Sequence, residues 1–317
     1  MTRPDDSLLN PHELATVRKH ADRLLREASA IARFPTPIAD LLDTAKLTVV
    51  DDEELNESVL RHLISKARAG VKSGLSVIKS ALSKVWGLLD PCAGVVVIDK
   101  NTPKLKVPFI KLHETGHNRL PHQHKAYRLM QDCKDTLDPD VTDLFEREAN
   151  VFASEVLFQG DTFSEEAHGQ SFSIKVPMGL ADKFGASRYA AFRRYVSTSP
   201  HACCVVILEP PTTDSDGHRS AEVRRVIMSK SFELHYDGQV LCATVTGRHP
   251  LVPAIPAKRM TFNRDIVLKD RNGDDRLCLA EALDTKHHVL VLIRDVGPKT
   301  RSGIVVVPGN VRHRLKF

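Results

Sequence analysis

The stretch His113-Glu114-Thr115-Gly116-His117 limits what this 317-residue chain can fold into more than any other segment. Two histidines four positions apart, with a carboxylate directly after the first, gain a common direction only on a helix. There, residues i and i+4 lie one turn apart on the same face. The segment therefore predicts a helix that aims two imidazoles at one place, with Glu114 beside them. The flanks agree. Pro108 suits a first helical turn, where its missing N–H is not needed. Phe109, Leu112, His113, Gly116, His117 and Leu120 recur at i, i+3, i+4 and i+7, so the histidines share the apolar stripe. Pro121 closes the helix soon afterwards. Gly116 lowers helix propensity and predicts close approach of another element at that point.

The pattern H-E-x-x-H belongs to zinc-dependent peptidases, in which the histidines bind the metal and the glutamate is the general base. Such a site takes three protein ligands and keeps a fourth position open. The continuation H-x-x-G-x-x-H fails here, because Leu120 and Gln123 stand where glycine and histidine are needed. His122 and His124 are out of that register and would need a sharp turn at Pro121. They read more simply as exposed residues of a loop.

A downstream helix is a better source. Asp138 as N-cap and Pro139 at the first position start it, and it runs through Phe158. Glu146 and Glu148 compete for the role of third ligand. At 100° per residue, Leu144, Phe145, Val151, Phe152 and Val156 cluster on one side. Glu148 falls within that face. Glu146 falls opposite, beside Asn150 in projection. A carboxylate in an apolar face is costly unless it is paired or bound to a metal. The expected metal set is therefore His113, His117 and Glu148, with Glu114 as catalytic base and Glu146 as an exposed charge. A buried salt bridge is the other reading of Glu148. Glu155 shares the face near the helix end, as an outer group.

At these residues the chain resembles a known family. Pro108 to His117 is similar to the F-x-x-x-H-E-x-G-H core of the ImmA/IrrE metallopeptidases. Glu146 to Leu157 is similar to their E-x-E-A-N-x-F-A-x-x-L-L element. Trp86-Gly87-Leu88-Leu89-Asp90 and Gly94 to Asp99 resemble the short strands that precede the active-site helix. The likeness spans roughly residues 10 to 198. It implies a gluzincin-like protease of phage, mobile-element or stress-response systems that cleaves a helix-turn-helix repressor and so derepresses genes. It also implies His113, His117 and Glu148 as ligands and Glu114 as base. Thr115 departs from the aliphatic residue common at its position, which is tolerable if its hydroxyl bonds a nearby carbonyl.

The remaining sequence sets bounds. Length suggests two domains. A formal net charge of +5 allows nucleic-acid affinity without arguing for it. No apolar run reaches transmembrane length and no apolar segment opens the chain, so a cytoplasmic protein without membrane contact is expected. Cys92, Cys133, Cys203, Cys204, Cys242 and Cys278 show no C-x-x-C spacing and are expected as reduced, mostly buried thiols. Helices are expected over 12–31, 38–45 and 55–85, the last bearing a basic face that reads as solvated. Strands are expected at 47–50 and 95–99, the latter as a sheet edge able to hold an extended substrate. Residues 178–198 have the layout of a helix-turn-helix, with Gly185 at the turn and Ser187 as cap. Packing is the favoured reading of this hairpin and direct DNA binding the less favoured one. Tyr189 and Tyr195 are candidate oxyanion donors that no sequence feature places at the metal. Beyond residue 200, strands are expected at 202–208, 223–236, 239–246, 260–268, 288–294 and 303–307.

The expected fold class is α+β. A mainly helical zincin-like peptidase domain with a small sheet occupies 1–199, and a β-rich domain with a possible sensor or regulatory role occupies 200–317. The expected function is a metal-dependent endopeptidase that uses Zn2+, with Mn2+ also compatible with nitrogen and oxygen ligands, and acts on a repressor protein. Two alternatives are a DNA- or repressor-binding regulator with a non-catalytic zinc site and a toxin-type protease of broader target.

Overall fold

A computed structural model describes residues 8–51, 87–90, 94–98, 101–132, 139–213, 215, 219–237, 244–247 and 249–299. The expected helix at 55–85, the Asp138 cap, the strand at 303–307, most of that at 239–246, and Cys92, Cys133 and Cys242 lie outside these residues. The fold is α+β, a helical N-terminal part followed by a β-rich part. In the first part, α1 (Pro11–Glu27) and α2 (Ile38–Thr44) lead into β1 (Thr48–Asp51), β2 (Gly87–Asp90) and β3 (Val95–Ile98). The helices α3 (Val107–Arg119), α4 (Pro121–Asp132), α5 (Pro139–Leu157), α6 (Thr162–His168), α7 (Lys175–Phe184) and α8 (Arg188–Ser197) follow.

The start of α1 is held by a reciprocal cap. Asn10 Oδ1 accepts from the backbone N–H groups of His12 and Glu13, and Glu13 accepts from the Asn10 N–H. Its buried face, Val17, Ala21, Leu24 and Leu25, then packs on the helical core. The small sheet has the order β1-β3-β2, with β3 parallel to β1 and antiparallel to β2. This corrects the expectation of an edge at 95–99. Both sides of β3 are paired, and the run Val95, Val96, Val97 and Ile98 is buried throughout. Continuous burial is the mark of a central strand covered on both faces.

Position 116 shows why glycine stands there. A Cβ on Gly116 would lie 3.2 Å from Ala149 Cα and 3.2 Å from Phe152 Cδ1, so α3 and α5 meet almost backbone to backbone. The expected close approach is present. Thr115 Oγ1 donates to the Lys111 carbonyl at 2.7 Å, the bond that makes a hydroxyl tolerable inside the helix. Pro121 does not lead into a loop. It opens α4, where its fixed φ and missing N–H suit the first position. That sharp turn folds His122 and Gln123 back toward α5.

The second part is a five-stranded antiparallel sheet of order β7-β4-β10-β9-β8. Its strands are β4 (Cys203–Leu208), β7 (Val223–Met228), β8 (Met260–Lys269), β9 (Asp275–Asp284) and β10 (Val289–Pro298), with β5 (Thr212–Thr213) and β6 (Arg219–Ser220) in a separate pair. Two expectations are corrected here. The strand expected over 223–236 ends at Met228. Ser229 then accepts from the Phe232 N–H and starts a short helix, α9 (Lys230–His235). The strand β9 is not among those expected from the sequence. Its Leu277-Cys278-Leu279-Ala280-Glu281-Ala282-Leu283 is rich in helix formers, and pairing to β8 and β10 overrides that preference.

Alternate residues of the sheet serve two cores. Cys203, Val205, Ile207, Leu283, Leu290 and Leu292 join the same core as the helices. Cys204, Val206, Leu208, Val291 and Ile293 face a second core closed by Phe232, Tyr236, Leu251 and Ala254. Glu281 also ties the parts together, accepting from the Ile174 N–H at 2.5 Å at the start of α7. Cys203, Cys204 and Cys278 are free and buried.

Candidate metal centre

Helix α3 carries His113, Glu114 and His117 against α5. The two imidazoles cross edge to face with ring centres 4.8 Å apart, and their Nε2 atoms lie 3.1 Å from each other. Each Nδ1 is turned outward to an amide. His113 Nδ1 is 3.1 Å from Asn150 Oδ1, and His117 Nδ1 is 2.7 Å from Gln123 Oε1. Such partners fix ring orientation at metal sites. Glu114 is buried beside them, 7% exposed.

The carboxylate that completes this group is Glu146. Its Oε2 is 3.2 Å from His113 Nε2 and its Oε1 is 3.5 Å from His117 Nε2. The ligand atoms of His113, His117 and Glu146 all lie within 4.8 Å of one another. The geometry differs from the expected set at this one residue. Glu148 is not turned to the histidine Nε2 atoms. Its Oε2 lies 2.6 Å from His122 Nε2 and accepts from Gln123 Nε2 at 2.6 Å. Helix periodicity places Glu148 in the interior, and its side chain is 5% exposed against 49% for Glu146. Burial here does not bring ligation with it. The carboxylate that reaches the two Nε2 atoms is the half-exposed one, at the rim of the cluster. Asn150 is the usable signal: it stands one turn after Glu146 on the stripe facing α3, and it bonds His113.

The donor spacing fits a small divalent ion. Four ligands about 2.0–2.1 Å from zinc stand roughly 3.4 Å apart along a tetrahedral edge; here the two Nε2 atoms are 3.1 Å apart, and each faces a different oxygen of Glu146, Oε2 at 3.2 Å from His113 and Oε1 at 3.5 Å from His117. Electrostatics agree. Without a cation, burial pulls His113 down, but the Glu146 hydrogen bond and the Glu114 charge outweigh it and hold the pKa above 6.5. Burial and the neighbouring His113 charge push His117 down to about 4. Burial would raise Glu146, yet its hydrogen bond and attraction to His113 keep it low. The cluster thus favours positive charge at the point where these groups meet, which a metal ion can supply.

Other candidates are placed elsewhere. Glu155 is not an outer group of this centre. Arg194 Nη1 donates to it at 2.6 Å and Arg18 Nε lies 3.4 Å away, which makes it a buried ion pair joining α5 to α8. The hairpin of α7 and α8 is present, with Gly185 at φ 70° and Ser187 accepting from the Ala190 N–H. Arg188 is engaged by Asp182 and the Met178 carbonyl, and Arg194 is 7% exposed. Tyr195 is buried against Phe172. Among the described residues, no helix is long and apolar enough to cross a membrane.

Residues 72–195 match the family model described as Peptidase_M78, IrrE N-terminal-like domain. That stretch is similar to a metallopeptidase-like domain of the IrrE type, and both halves of the histidine–glutamate site lie within the match. A solved structure described as a Mycobacterium tuberculosis transcriptional regulator is similar to this chain at 14% sequence identity, with 88% of each chain covered and a TM-score of 0.46. No curated protein matches in sequence.

Proposed function

We propose that this protein is a zinc-dependent endopeptidase in which His113, His117 and Glu146 hold the metal and Glu114 is the general base. The observation that carries this reading is the convergence of two Nε2 atoms and one carboxylate from two helices, beside a buried glutamate that a purely structural metal site has no use for. A bound zinc ion supplies Lewis acidity toward a water and a peptide carbonyl. Glu114 takes the proton of the attacking water and returns it to the leaving amine. Asn150 and Gln123 hold the two imidazoles so that both Nε2 atoms stay turned inward. The half-exposed Glu146 leaves one side of the centre open for an extended peptide. Manganese is compatible with the same donors.

The substrate proposed is a helix-turn-helix transcriptional repressor, whose cleavage derepresses its genes in the cytoplasm. This rests on resemblance to ImmA/IrrE proteins, so the test is proteome-wide. Cells making wild-type protein or Glu114→Gln are compared by labelling newly exposed protein N-termini. A repressor fragment is expected with wild type and absent with the variant. Purified Glu114→Gln should keep its zinc and lose roughly 10²–10⁴-fold of its cleavage rate. Unchanged derepression by zinc-loaded Glu114→Gln would instead establish a regulator that acts without cleavage.

A further inference from the structure

The family-like element on α5 carries two glutamates, and only Glu146 reaches the histidine Nε2 atoms. Glu148 is nonetheless buried, so its carboxylate needs a purpose that offsets its lost hydration. The hydrogen bonds around Gln123 supply one. Gln123 is fully buried on the first turn of α4. Its Nε2 donates to Glu148 Oε2 at 2.6 Å and to the Phe145 carbonyl at 3.2 Å. Both partners are acceptors, so this end of the amide has to be the NH2 group. The other end is then the oxygen, and it faces His117 Nδ1 at 2.7 Å. An amide oxygen can only accept, which puts the proton of His117 on Nδ1 and leaves Nε2 as a lone pair.

We infer that Glu148 and Gln123 form a positioning relay that fixes the tautomer and aim of His117, with Glu148 acting through Gln123. Glu148 orients the amide, the amide orients the ring, and the ring presents Nε2 to the centre. Residue 123 is the position at which a metzincin would carry its third histidine; here an amide from the same stretch of chain serves a ligand instead of being one. His122, on Glu148 at 2.6 Å, anchors the far end of the relay. The inference builds on the metal reading above, but its first readout needs no metal.

The test uses full-length, isotopically labelled protein freed of metal, with long-range proton–nitrogen correlations of the His117 ring. Wild type is expected to show the Nδ1–H form. Gln123→Met, close in size and apolar, is expected to show a mixture of tautomers and about 10–100-fold weaker zinc binding in chelator competition. Glu148→Met should give the same two changes, and Glu148→Gln, which keeps an acceptor oxygen, should restore most of both. The double variant Gln123→Met/Glu148→Met should bind zinc no more weakly than Gln123→Met alone. An unchanged tautomer in Gln123→Met, or fully additive losses in the double variant, overturns the relay. If Gln123→Met does not fold, the comparison of Glu148→Met with Glu148→Gln decides by the same tautomer readout. Failure of wild type to bind zinc would sink the metal reading, and the His117 tautomer in the variants would then decide the relay alone.

Discussion

Glu146 and Glu148 stand two residues apart on one helix and hold different halves of the same centre. Glu146 lies 3.2 Å from His113 Nε2, whereas Glu148 accepts from the amide that bonds His117 Nδ1. Glu146→Ala should therefore abolish stoichiometric zinc binding at micromolar metal. Glu148→Ala should keep it with affinity weakened about 10–100-fold. Metal content after gel filtration separates them. Zinc retained by Glu146→Ala and lost from Glu148→Ala would reverse the assignment.

Gly116 is the contact on which α3 and α5 close. Gly116→Ala places a methyl against the Ala149 backbone at 3.2 Å, and a backbone cannot swing aside as a flexible side chain does. The gain in helix propensity is about 1 kcal/mol, while overpacking costs about 1–3 kcal/mol. A net loss of stability is expected in denaturant melts, together with weaker zinc binding as Glu146 is pushed from the histidines. A more stable variant with unchanged affinity would show that the helices are free to part.

Zinc affinity should fall with acid. Proton and metal compete for His113 Nε2, and His113 keeps its proton more readily than an ordinary histidine because Glu146 and Glu114 outweigh the effect of burial. His117, pushed to about 4, offers no comparable competition. Below the His113 pKa, affinity should drop by about tenfold per pH unit. Competition titrations at pH 8, 7 and 6 measure the slope. A flat profile would show that no proton is displaced.

Zinc should also stabilise the fold. An ion that binds only the folded chain adds about 2.7 kcal/mol at a hundredfold excess over its dissociation constant. The thermal midpoint of wild type should rise with zinc and that of Glu146→Ala should not. Equal rises in both would point to a site elsewhere.

Arg194 belongs to the architecture of the hairpin. It pairs with Glu155 at 2.6 Å and donates to the Gly160 carbonyl at 2.7 Å. Arg194→Ala leaves the buried Glu155 with the more distant Arg18 among the described residues, and breaking a buried pair costs about 3–5 kcal/mol. A loss of that size in urea melts is expected. A loss below 1 kcal/mol, with weakened DNA binding, would favour a nucleic-acid role for α8.

Much of this protein was legible in local pattern. The i, i+4 histidines, the apolar stripe of α3, the close approach at Gly116 and the interior position of Glu148 all follow from helix periodicity, which depends only on neighbours along the chain. What periodicity cannot state is which partner a residue meets. The choice of Glu146 over Glu148 depends on how α5 is rotated against α3 and where solvent enters between them. The entry of Gln123 depends on Pro121 starting a new helix instead of a loop. The strand β9 forms from helix-favouring residues because two neighbouring strands supply its hydrogen bonds. The amino-acid sequence by itself determined the two histidines, Glu114 beside them and the elements that carry them. The tertiary structure alone decided which carboxylate joins them, because that choice is made by contacts between helices and not within one.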